Sequence, residues 1–476
     1  MSEPRRPNRP VQWRPDRRPV DPSRLAAYDV LRAVDRDSAY ANLAAPKIIA
    51  DADLHGRDAA FATAIAYGTL RWRGFLDAVI AACSDRPLEQ MDANVLDVLR
   101  LGAHQLLFLR TPPHAAVGEN VQLARLVGGE SRAGFVNAVL RRVGERDLDT
   151  WVAEVAPVAA QDPIGHLAVA QSHPRWIVQA LFDSLTSWRR ATPDQPVSWA
   201  EIEDLLVINN EPGEVTLVAR PGRSRVDDLL DLPGARPGRW SPYAAVLESG
   251  APGDIAEVRS GDVGVQDEGS QLVTLALARV PVSGSDRLWL DMAAGPGGKA
   301  ALLAGLAYER GAALLAADRA PHRAQLVAQA LDGAPGSRLT IAADGTQGPW
   351  LPGTFDRVLL DAPCTGLGVL RRRPEARWRR TQADVSELAS LQRQLLASAI
   401  DAVRIGGVVG YVTCSPHLAE TEMVVDDAMG DGLVERIDAR PLLPELADLG
   451  FGPDIRLWPH IHGTDGMYLA LLRRVR

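Results

Sequence analysis

The sequence predicts a multidomain protein: an all-α N-terminal domain, a small α/β middle unit and a C-terminal α/β domain with a doubly wound, mostly parallel sheet. Three observations predict this fold class. The length of 476 residues is enough for roughly two to four domains. Apolar residues recur at helical spacing from Asp21 to about Gly144. From about Val263 onward, strand-like and helix-like segments alternate.

The N-terminal part divides into an arm and a helical domain. Residues 1–20 predict a flexible basic arm, with a solubilising tail as the alternative; its arginines are Arg5, Arg6, Arg9, Arg14, Arg17 and Arg18. We expect the all-α domain over residues 21–150. Asp21 and Pro22 suit the cap and first position of its first helix. No segment of this domain predicts a strand, and further helices are predicted at 57–82, 92–109, 114–127 and 131–143.

A small α/β unit is predicted over residues 165–262, after a linker or short helix at 145–163. A Ser-x-Pro-x-Trp sequence near its start predicts the beginning of a helix. Apolar runs at 205–208 and 215–218 predict two strands on either side of a turn.

The C-terminal domain is predicted over residues 263–476. Six apolar runs predict its strands: Leu288–Leu290, Ala313–Ala317, Leu339–Ala342, Arg357–Leu360, Val408–Val412 and Met467–Leu472. Helical segments separate them. In sheets of this class, ligands bind beside the carboxyl ends of the strands. The residues that follow these strands are therefore the candidates for a functional site.

Composition excludes several classes of protein. We find no run of about 18 apolar residues and no secretory signal, which argues against a membrane protein. The three cysteines form no disulfide framework and no zinc-binding spacing, so we expect a reducing cytoplasm and no metal. The net charge of −8 argues against a protein that coats nucleic acid, although clustered basic residues can still bind RNA.

One such basic cluster surrounds Trp378. It predicts contacts with RNA phosphates, with a solvated charged surface as the alternative. Its members are Arg371, Arg372, Arg373, Arg377, Arg379 and Arg380.

A glycine-rich loop follows the first strand of the C-terminal domain. Its residues are Ala293, Ala294, Gly295, Pro296, Gly297, Gly298 and Lys299. The spacing differs from a phosphate-binding loop, because Ala300 supplies no hydroxyl for magnesium. Asp318 and Asp344 end the next two strands, where an acid can bind ribose hydroxyls or an adenine edge. The pattern predicts an adenosine-containing cofactor, either a dinucleotide or S-adenosylmethionine.

Two cysteines follow two later strands at the same edge of the predicted sheet. Cys364 lies three residues after Asp361, and Cys414 lies in a Thr-Cys-Ser sequence. A thiolate that adds to carbon 6 of cytosine makes carbon 5 nucleophilic towards a sulfonium methyl group. Asp361 is placed to hydrogen-bond the base. Cys83 lies in an apolar helix and is expected to be a core residue.

Together these motifs resemble the bacterial RNA cytosine-5 methyltransferases of the RsmB type, also called Sun or Fmu and related to the Nop/NSUN proteins. The loop 293–299 resembles the first family motif, 361–368 the fourth and 411–415 the sixth. Residues 135–142 resemble the last helix of the NusB-like domain that these proteins carry. Ala293 and Gly295 depart from the usual family loop.

The resemblance implies a Rossmann-like class I methyltransferase domain that uses S-adenosylmethionine. It implies that Cys414 is the nucleophile and that Cys364 assists product release. Asp361 and Lys299 complete the predicted catalytic residues: Lys299 is expected to contact the base or to orient Asp361, with a cap of the loop as the alternative. The cofactor contacts would come from residues 293–299, Asp318, Asp344 and Asp361. The implied partner is structured RNA bound by the NusB-like domain and the middle unit, with a cytosine of 16S ribosomal RNA as the target. We expect a monomer.

Three alternatives remain open. The substrate could be tRNA or another RNA. A DNA cytosine methyltransferase would attack with Cys364, but the Thr-Cys-Ser sequence and the NusB-like domain argue against it. A non-catalytic RNA-binding or antitermination-like factor would have no use for the complete loop, the acids and both cysteines.

Overall fold

The computed structural model describes residues 20–190, 192, 196–248 and 250–476. Apart from Val20, the predicted basic arm lies outside these residues. The chain forms two compact units, Met1–Val155 and Ala156–Arg476.

The described part of the first unit, residues 20–155, is helical throughout. Asp21 caps its first helix by accepting from the backbone N–H of Arg24 at 2.9 Å, and Pro22 occupies the first turn. Residues 20–155 contain no strand, which confirms the predicted all-α domain. The helices are α1 (Pro22–Arg36), α2 (Ala41–Asp51), α3 (Gly56–Ala82), α4 (Ala93–Phe108), α5 (Pro113–Gly128), α6 (Glu130–Val143) and α7 (Leu148–Val155).

The second unit begins with three helices and a small antiparallel sheet. The sheet has the strand order β2-β3-β1-β4. The elements are α8 (Pro163–Ala170), α9 (Arg175–Arg189), α10 (Trp199–Asn209), β1 (Val215–Ala219), α11 (Val226–Leu230), β2 (Ala235–Pro237), β3 (Ala244–Leu247), α12 (Ala256–Ser260) and β4 (Val263–Val265).

Two features of this region differ from the sequence predictions. The strand predicted at 205–208 is wrong, because these residues lie in α10. Ser198 caps that helix by accepting from the N–H of Glu201, and the buried residues Ile202, Leu205, Leu206 and Asn209 have helical spacing. Strand β4 pairs with β1 although it falls inside the range predicted for the C-terminal domain. The small sheet therefore extends to Val265.

The rest of the unit is a large mixed sheet with helices on both faces. Its strands are β5 (Leu288–Asp291), β6 (Ala313–Asp318), β7 (Ser337–Ala342), β8 (Phe355–Asp361), β9 (Val403–Thr413), β10 (Val434–Ile437), β11 (Ile455–Leu457) and β12 (Met467–Arg474). Its helices are α13 (Glu268–Arg279), α14 (Gly298–Glu309), α15 (Pro321–Ala330), α16 (Ala376–Arg379), α17 (Gln382–Ala402), α18 (Glu422–Met429) and α19 (Pro459–His462).

The strand order is β10-β12-β9-β8-β5-β6-β7, with β11 also paired to β12. Strands β9, β8, β5, β6 and β7 run parallel to one another, and β12 is antiparallel to β9. The order of connection reverses between β5 and β8. In doubly wound sheets this reversal creates a crevice at the carboxyl ends of the strands. The loops after β5 and β8 therefore meet at that crevice.

The central strands of the large sheet are buried on both faces. Trp289 and Leu359 face one apolar core with α13 and α14, whereas Leu290 and Leu360 face a second core with α17. Strands covered on both faces read as continuous apolar runs, which is why the sequence revealed them. Among the described residues, no helix is long and apolar enough to cross a membrane.

Candidate active site

Three loops meet at the carboxyl edge of the large sheet. Lys299 lies in the first turn of α14, directly after the loop that follows β5, and its Nζ is 2.9 Å from Oδ2 of Asp361, the last residue of β8. The loop after β8 carries Cys364, whose Sγ lies 3.4 Å from Sγ of Cys414 after β9. The structure thus brings together the four residues that the sequence predicted as catalytic, in two contacting pairs.

The glycine-rich loop is held in place by its neighbours. Asp318 accepts hydrogen bonds from the backbone N–H of Gly295 at 3.0 Å and of Ala320 at 2.9 Å, and Arg323 donates to the carbonyl of Gly295. Gly297 has φ of +113°, and a Cβ there would lie 2.6 Å from Cβ of Ala330. The left-handed backbone and the close helix packing both require glycine at this position.

The two predicted cofactor acids have different surroundings. Asp318 is buried and already supports the glycine-rich loop. Asp344 is half-exposed and caps a turn by accepting from the N–H and hydroxyl of Thr346 at 3.0 and 2.7 Å. These hydrogen bonds lower the pKa of Asp344. Contacts of both acids with a cofactor stay predictions.

Asp291, the last residue of β5, is an acid whose role the sequence did not reveal. It is fully buried, and among the described residues neither of its carboxyl oxygens has a hydrogen-bond partner. Burial, followed by the negative charge of Asp361, raises the pKa of Asp291 to about 8. A buried acceptor beside a glycine-rich loop fits a ligand with a cationic group, such as the ammonium of S-adenosylmethionine.

The two thiols have opposite electrostatic surroundings. The hydrogen bond from Cys364 lowers the pKa of Cys414 against the effect of burial, and the cations of Lys299 and Arg373 lower it further. The same contact with Cys414, together with burial, raises the pKa of Cys364, and Glu420 and Asp361 add to this rise. The pair therefore favours a thiolate at Cys414 and a thiol at Cys364.

Lys299 remains a cation in this site. Burial alone would lower the pKa of Lys299, but the charge and hydrogen bond of Asp361 outweigh it and raise the pKa overall. A lysine that keeps its charge next to Cys414 stabilises the thiolate.

A buried carboxylate that was not among the predicted site residues lies close to the two cysteines. Glu420 accepts hydrogen bonds from Thr365, Ser415 and Gln392 and is fully buried. An acid six residues after Cys414 was visible in the sequence, but nothing there distinguished a buried acid from an exposed one.

The predicted RNA-binding arginines are only partly available to RNA. Arg371 and Arg372 both pair with Asp267 and Asp465 at distances of 2.7 to 3.2 Å. Arg377 is fully buried and donates to the carbonyls of Ser172 and Asn209 and to the side chain of Asn210.

Burial and these internal partners argue against phosphate contacts of Arg371 and Arg377, whose guanidinium groups join parts of the second unit. Arg372 forms ion pairs with the same two carboxylates as Arg371. Phosphate contacts stay a prediction for Arg373, which is exposed, and for Arg379 and Arg380. Within the described ranges, no group of His, Cys, Asp and Glu could hold a metal ion.

Comparisons with known proteins match both units. A sequence model described as 16S rRNA methyltransferase RsmB/F matches residues 280–473, and a model of the NusB family matches residues 21–145. A protein of Mycobacterium tuberculosis H37Rv, named only as a methyltransferase, is 52% identical over 97% of this chain and 98% of its own length. The ribosomal RNA small subunit methyltransferase B of Pseudomonas putida is 34% identical over 95% of this chain and 98% of its own length.

Solved structures have the same fold. The crystal structure of PH0851 has a TM-score of 0.76 at 22% identity and covers 96% of this chain and 99% of its own. The structure of NSun6 from Pyrococcus horikoshii with SFG has a TM-score of 0.52 at 19% identity and covers 63% of this chain and 98% of its own.

Proposed function

Because the chain belongs to the RsmB/F family of 16S rRNA methyltransferases, we propose that it methylates carbon 5 of a cytosine in 16S ribosomal RNA through a covalent bond to Cys414. The observation that carries this proposal is the thiol pair, Cys364 and Cys414 at 3.4 Å, beside the Lys299–Asp361 ion pair. A methyl transfer to carbon 5 of cytosine needs a nucleophile that adds to carbon 6, and an activated thiolate is suited to this role. A second thiol and a carboxylate beside it can assist the later steps. The methyl donor is S-adenosylmethionine.

The first step is attack by Cys414. Its thiolate forms a bond between Sγ and carbon 6 of the cytosine, and the electron pair of the ring double bond moves towards carbon 5. The hydrogen bond from Cys364 and the cations of Lys299 and Arg373 favour this thiolate near neutral pH. The same surroundings argue against attack by Cys364, as in a DNA-type mechanism, because the pKa of Cys364 is raised.

The cytosine must be held while carbon 5 receives the methyl group. When bound, S-adenosylmethionine supplies that methyl group from its sulfonium. Asp361 is placed to hydrogen-bond the amino edge of the base or its protonated ring nitrogen. Lys299 fixes the orientation of this carboxylate at 2.9 Å. Asp291 offers the cofactor a buried acceptor at the end of β5.

Release of the product reverses the attack. The proton on carbon 5 leaves to solvent, its electron pair restores the ring double bond, and the bond between carbon 6 and sulfur breaks in favour of the sulfur. Cys364 donates a hydrogen bond to the departing thiolate of Cys414. A thiol of lower pKa leaves faster. Loss of Cys364 should therefore slow release more than attack, and the covalent adduct should accumulate.

RNA binding is assigned to three regions. These are the NusB-family domain, the middle unit and the arginines that follow Cys364, of which Arg373 is exposed. Arginine side chains in such positions contact phosphates and position the strand. We place the protein in the cytoplasm, as a monomer.

Tritium release from RNA labelled at carbon 5 of cytosine tests the chemistry. Wild-type protein with S-adenosylmethionine should release tritium, and Cys414→Ala should release none above background. Cys364→Ala should release tritium far more slowly than wild type, because carbon 5 keeps its hydrogen until the adduct breaks down. Full activity of Cys414→Ala would mean that the nucleophile is assigned wrongly.

Bisulfite sequencing of total RNA tests the substrate. A deletion strain should lose methylation at a cytosine of 16S ribosomal RNA, and wild-type protein, but not Cys414→Ala, should restore it. A loss confined to tRNA would replace the ribosomal substrate with the alternative one.

A further inference from the structure

Glu420 lies in a short 3-10 turn, Leu418–Glu420, directly behind the thiol pair. Its carboxylate accepts four hydrogen bonds. Oε1 accepts from the N–H of Thr365 at 2.8 Å and from Nε2 of Gln392 at 3.2 Å. Oε2 accepts from the hydroxyls of Thr365 and Ser415 at 2.5 and 2.6 Å. All the usual acceptor positions of a carboxylate are therefore filled.

The residues that donate to Glu420 are the immediate neighbours of the two cysteines. Thr365 follows Cys364, and Ser415 follows Cys414. The two cysteine loops come from different strands, and Glu420 is the shared acceptor that joins them. The hydroxyl oxygens of Thr365 and Ser415 lie 3.1 Å apart. Each hydroxyl has one proton and donates it to Oε2 of Glu420, so the two oxygens are close because they share this acceptor.

A second layer of contacts holds Glu420 itself. Gln392 of α17 also donates to the carbonyl of Pro363 at 2.8 Å. Tyr411 of β9 donates its hydroxyl proton to the carbonyl of Glu420 at 2.7 Å, and its hydroxyl oxygen lies 3.2 Å from Oε1 of Gln392. A buried polar network in which the members satisfy one another resists small displacements. This network therefore fixes the positions of the two cysteine loops, and with them the distance between the thiols.

Glu420 also contributes charge. Its carboxylate raises the pKa of Cys364, after the larger effects of the Cys414 contact and burial. The charges that lower the pKa of Cys414 come from Lys299 and Arg373.

We propose that Glu420 is a positioning residue that joins the two cysteine loops and so holds the two thiols at contact distance while Cys414 attacks. The carboxylate is buried and fully hydrogen-bonded, so it takes no part in proton transfer itself. The inference rests on the roles proposed above for the two cysteines.

Alkylation of the free protein by iodoacetamide tests this proposal without RNA or cofactor. The rate at each cysteine is read by mass spectrometry between pH 6 and 9. In the wild type, Cys414 should react much faster than Cys364 at pH 7. In Glu420→Gln, this rate ratio should fall by roughly tenfold, which corresponds to one unit of relative pKa. A ratio and pH profile equal to those of the wild type would overturn the proposal.

Two controls separate positioning from unfolding. Glu422→Gln changes an acid of the same segment that bonds Ser187 and Arg456, and it should leave the ratio unchanged. Cys83 is a buried cysteine outside the site. A thermal melt of each variant checks that the protein is still folded at the assay temperature. If Glu420→Gln melts before the assay temperature, Ser415→Ala replaces it, because this variant removes one donor and keeps the carboxylate. Its ratio should fall by a smaller factor, and an unchanged ratio would again overturn the proposal.

Methylation assays on the same variants distinguish the two proposals. Glu420→Gln should accumulate covalent RNA adduct, as expected when Cys364 is displaced from the leaving thiolate. If the rate ratio changes but wild-type protein methylates no cytosine, the proposed function fails and the role of Glu420 in thiol geometry stands. If wild-type protein methylates cytosine and Glu420→Gln behaves identically in both assays, the positioning role fails alone.

Discussion

Lys299 shows what a single residue contributes to the site. Lys299 and Lys47 are the only two lysines of the chain, and all its other Lys/Arg residues are arginines. Lys299 faces both Asp361 and the thiolate of Cys414, where a compact ammonium can serve two partners. The larger, planar guanidinium of arginine has a different geometry. The sequence predicted that Lys299 contacts the base or orients Asp361, and in the structure Nζ of Lys299 lies 2.9 Å from Oδ2 of Asp361.

Lys299→Met should change the pH dependence of the reaction. Without the ammonium, the pKa of Cys414 rises, so a smaller fraction of the thiol is ionised at neutral pH. The single-turnover methylation rate at pH 7 should fall roughly tenfold and recover partly as the pH increases. Lys47→Met, a change at the other lysine, which is exposed on α2, is the matched control. A pH profile that does not move in Lys299→Met would contradict the role of this lysine.

We expect Asp291 to bind the cofactor and, in the cofactor-free protein, to lower the free energy of unfolding. Its pKa of about 8 exceeds its ordinary value of 3.8, so the folded protein binds more protons than the unfolded chain. Without cofactor, stability therefore falls as pH rises from about 4 to 8.

Asp291→Asn removes this cost. At pH 7.5 it should stabilise the cofactor-free protein by on the order of 2 kcal/mol, seen as a Tm higher by a few degrees. It should also weaken S-adenosylmethionine binding by roughly tenfold, because the acceptor loses its charge. Calorimetry measures both effects. Asp431→Asn, an exposed acid, should change neither. A variant with lower Tm and unchanged affinity would refute this assignment.

Among the elements, burial on both faces decided what the sequence could predict. The central strands β5, β6, β8, β9 and β12 read as apolar runs, and their predicted positions are confirmed. Strands β10 and β11 were missed because they are short and pair only with β12. Helix α2 was missed because Pro46 lies inside it and its first turn has no side-chain cap. Residues 205–208 have an apolar composition that suits either a strand or a buried helix.

For the loops, the sequence predicted the location but not the contacts. Sequence motifs predicted that the cysteine loops lie at one edge of the sheet, because parallel strands end there. They could not predict the contacts between loops, since these join residues 50 or more positions apart. The pairing of Arg371 and Arg372 with Asp267 and Asp465 is one such contact. Because of it, two arginines that the sequence predicted to bind RNA pair with carboxylates of the protein instead.

Close backbone approach makes Gly368 a sensitive position. The N–H of Gly368 donates to the carbonyl of Cys414 at 2.8 Å, and the N–H of Gly466 donates to the carbonyl of Gly368 at 2.8 Å. A Cβ on Gly368 would lie 2.8 Å from the Cys414 carbonyl oxygen and would overlap the backbone of Gly466.

Gly368→Ala should therefore displace the Cys414 loop. We expect a loss of about 1–3 kcal/mol in stability and a methylation rate at least tenfold lower. Chemical denaturation and single-turnover rates measure these effects. Gly134→Ala, in α6, is the control because a Cβ there meets no atom within 4 Å. Wild-type stability and rate in Gly368→Ala would show that the contact does not constrain the site.

Across the whole molecule, two compact units correspond to two family matches. The NusB match lies within the first unit, and the RsmB/F match lies within the second. The second unit contains the complete candidate site and the middle region, so cofactor binding should need this unit only. RNA binding draws on both units under the proposed function, and linked binding modules increase affinity through effective concentration.

A fragment of residues 156–476 tests this division of roles. It should bind S-adenosylmethionine within about twofold of the full chain, because its site is intact. Its affinity for 16S ribosomal RNA at fixed salt should fall by at least about tenfold. Calorimetry and filter binding give the two constants, and circular dichroism checks the fold. RNA affinity equal to that of the full chain would remove the first unit from RNA recognition.

The covalent bond between Cys414 and the RNA is the central claim. The most direct measurement incubates the Cys364→Ala protein with 16S ribosomal RNA and S-adenosylmethionine and resolves the products on a denaturing gel. We predict a protein–RNA species of reduced mobility that maps to the Cys414 peptide by mass spectrometry. It should be absent from the Cys364→Ala/Cys414→Ala double variant. An adduct that persists in the double variant, or that maps to another residue, would contradict the account.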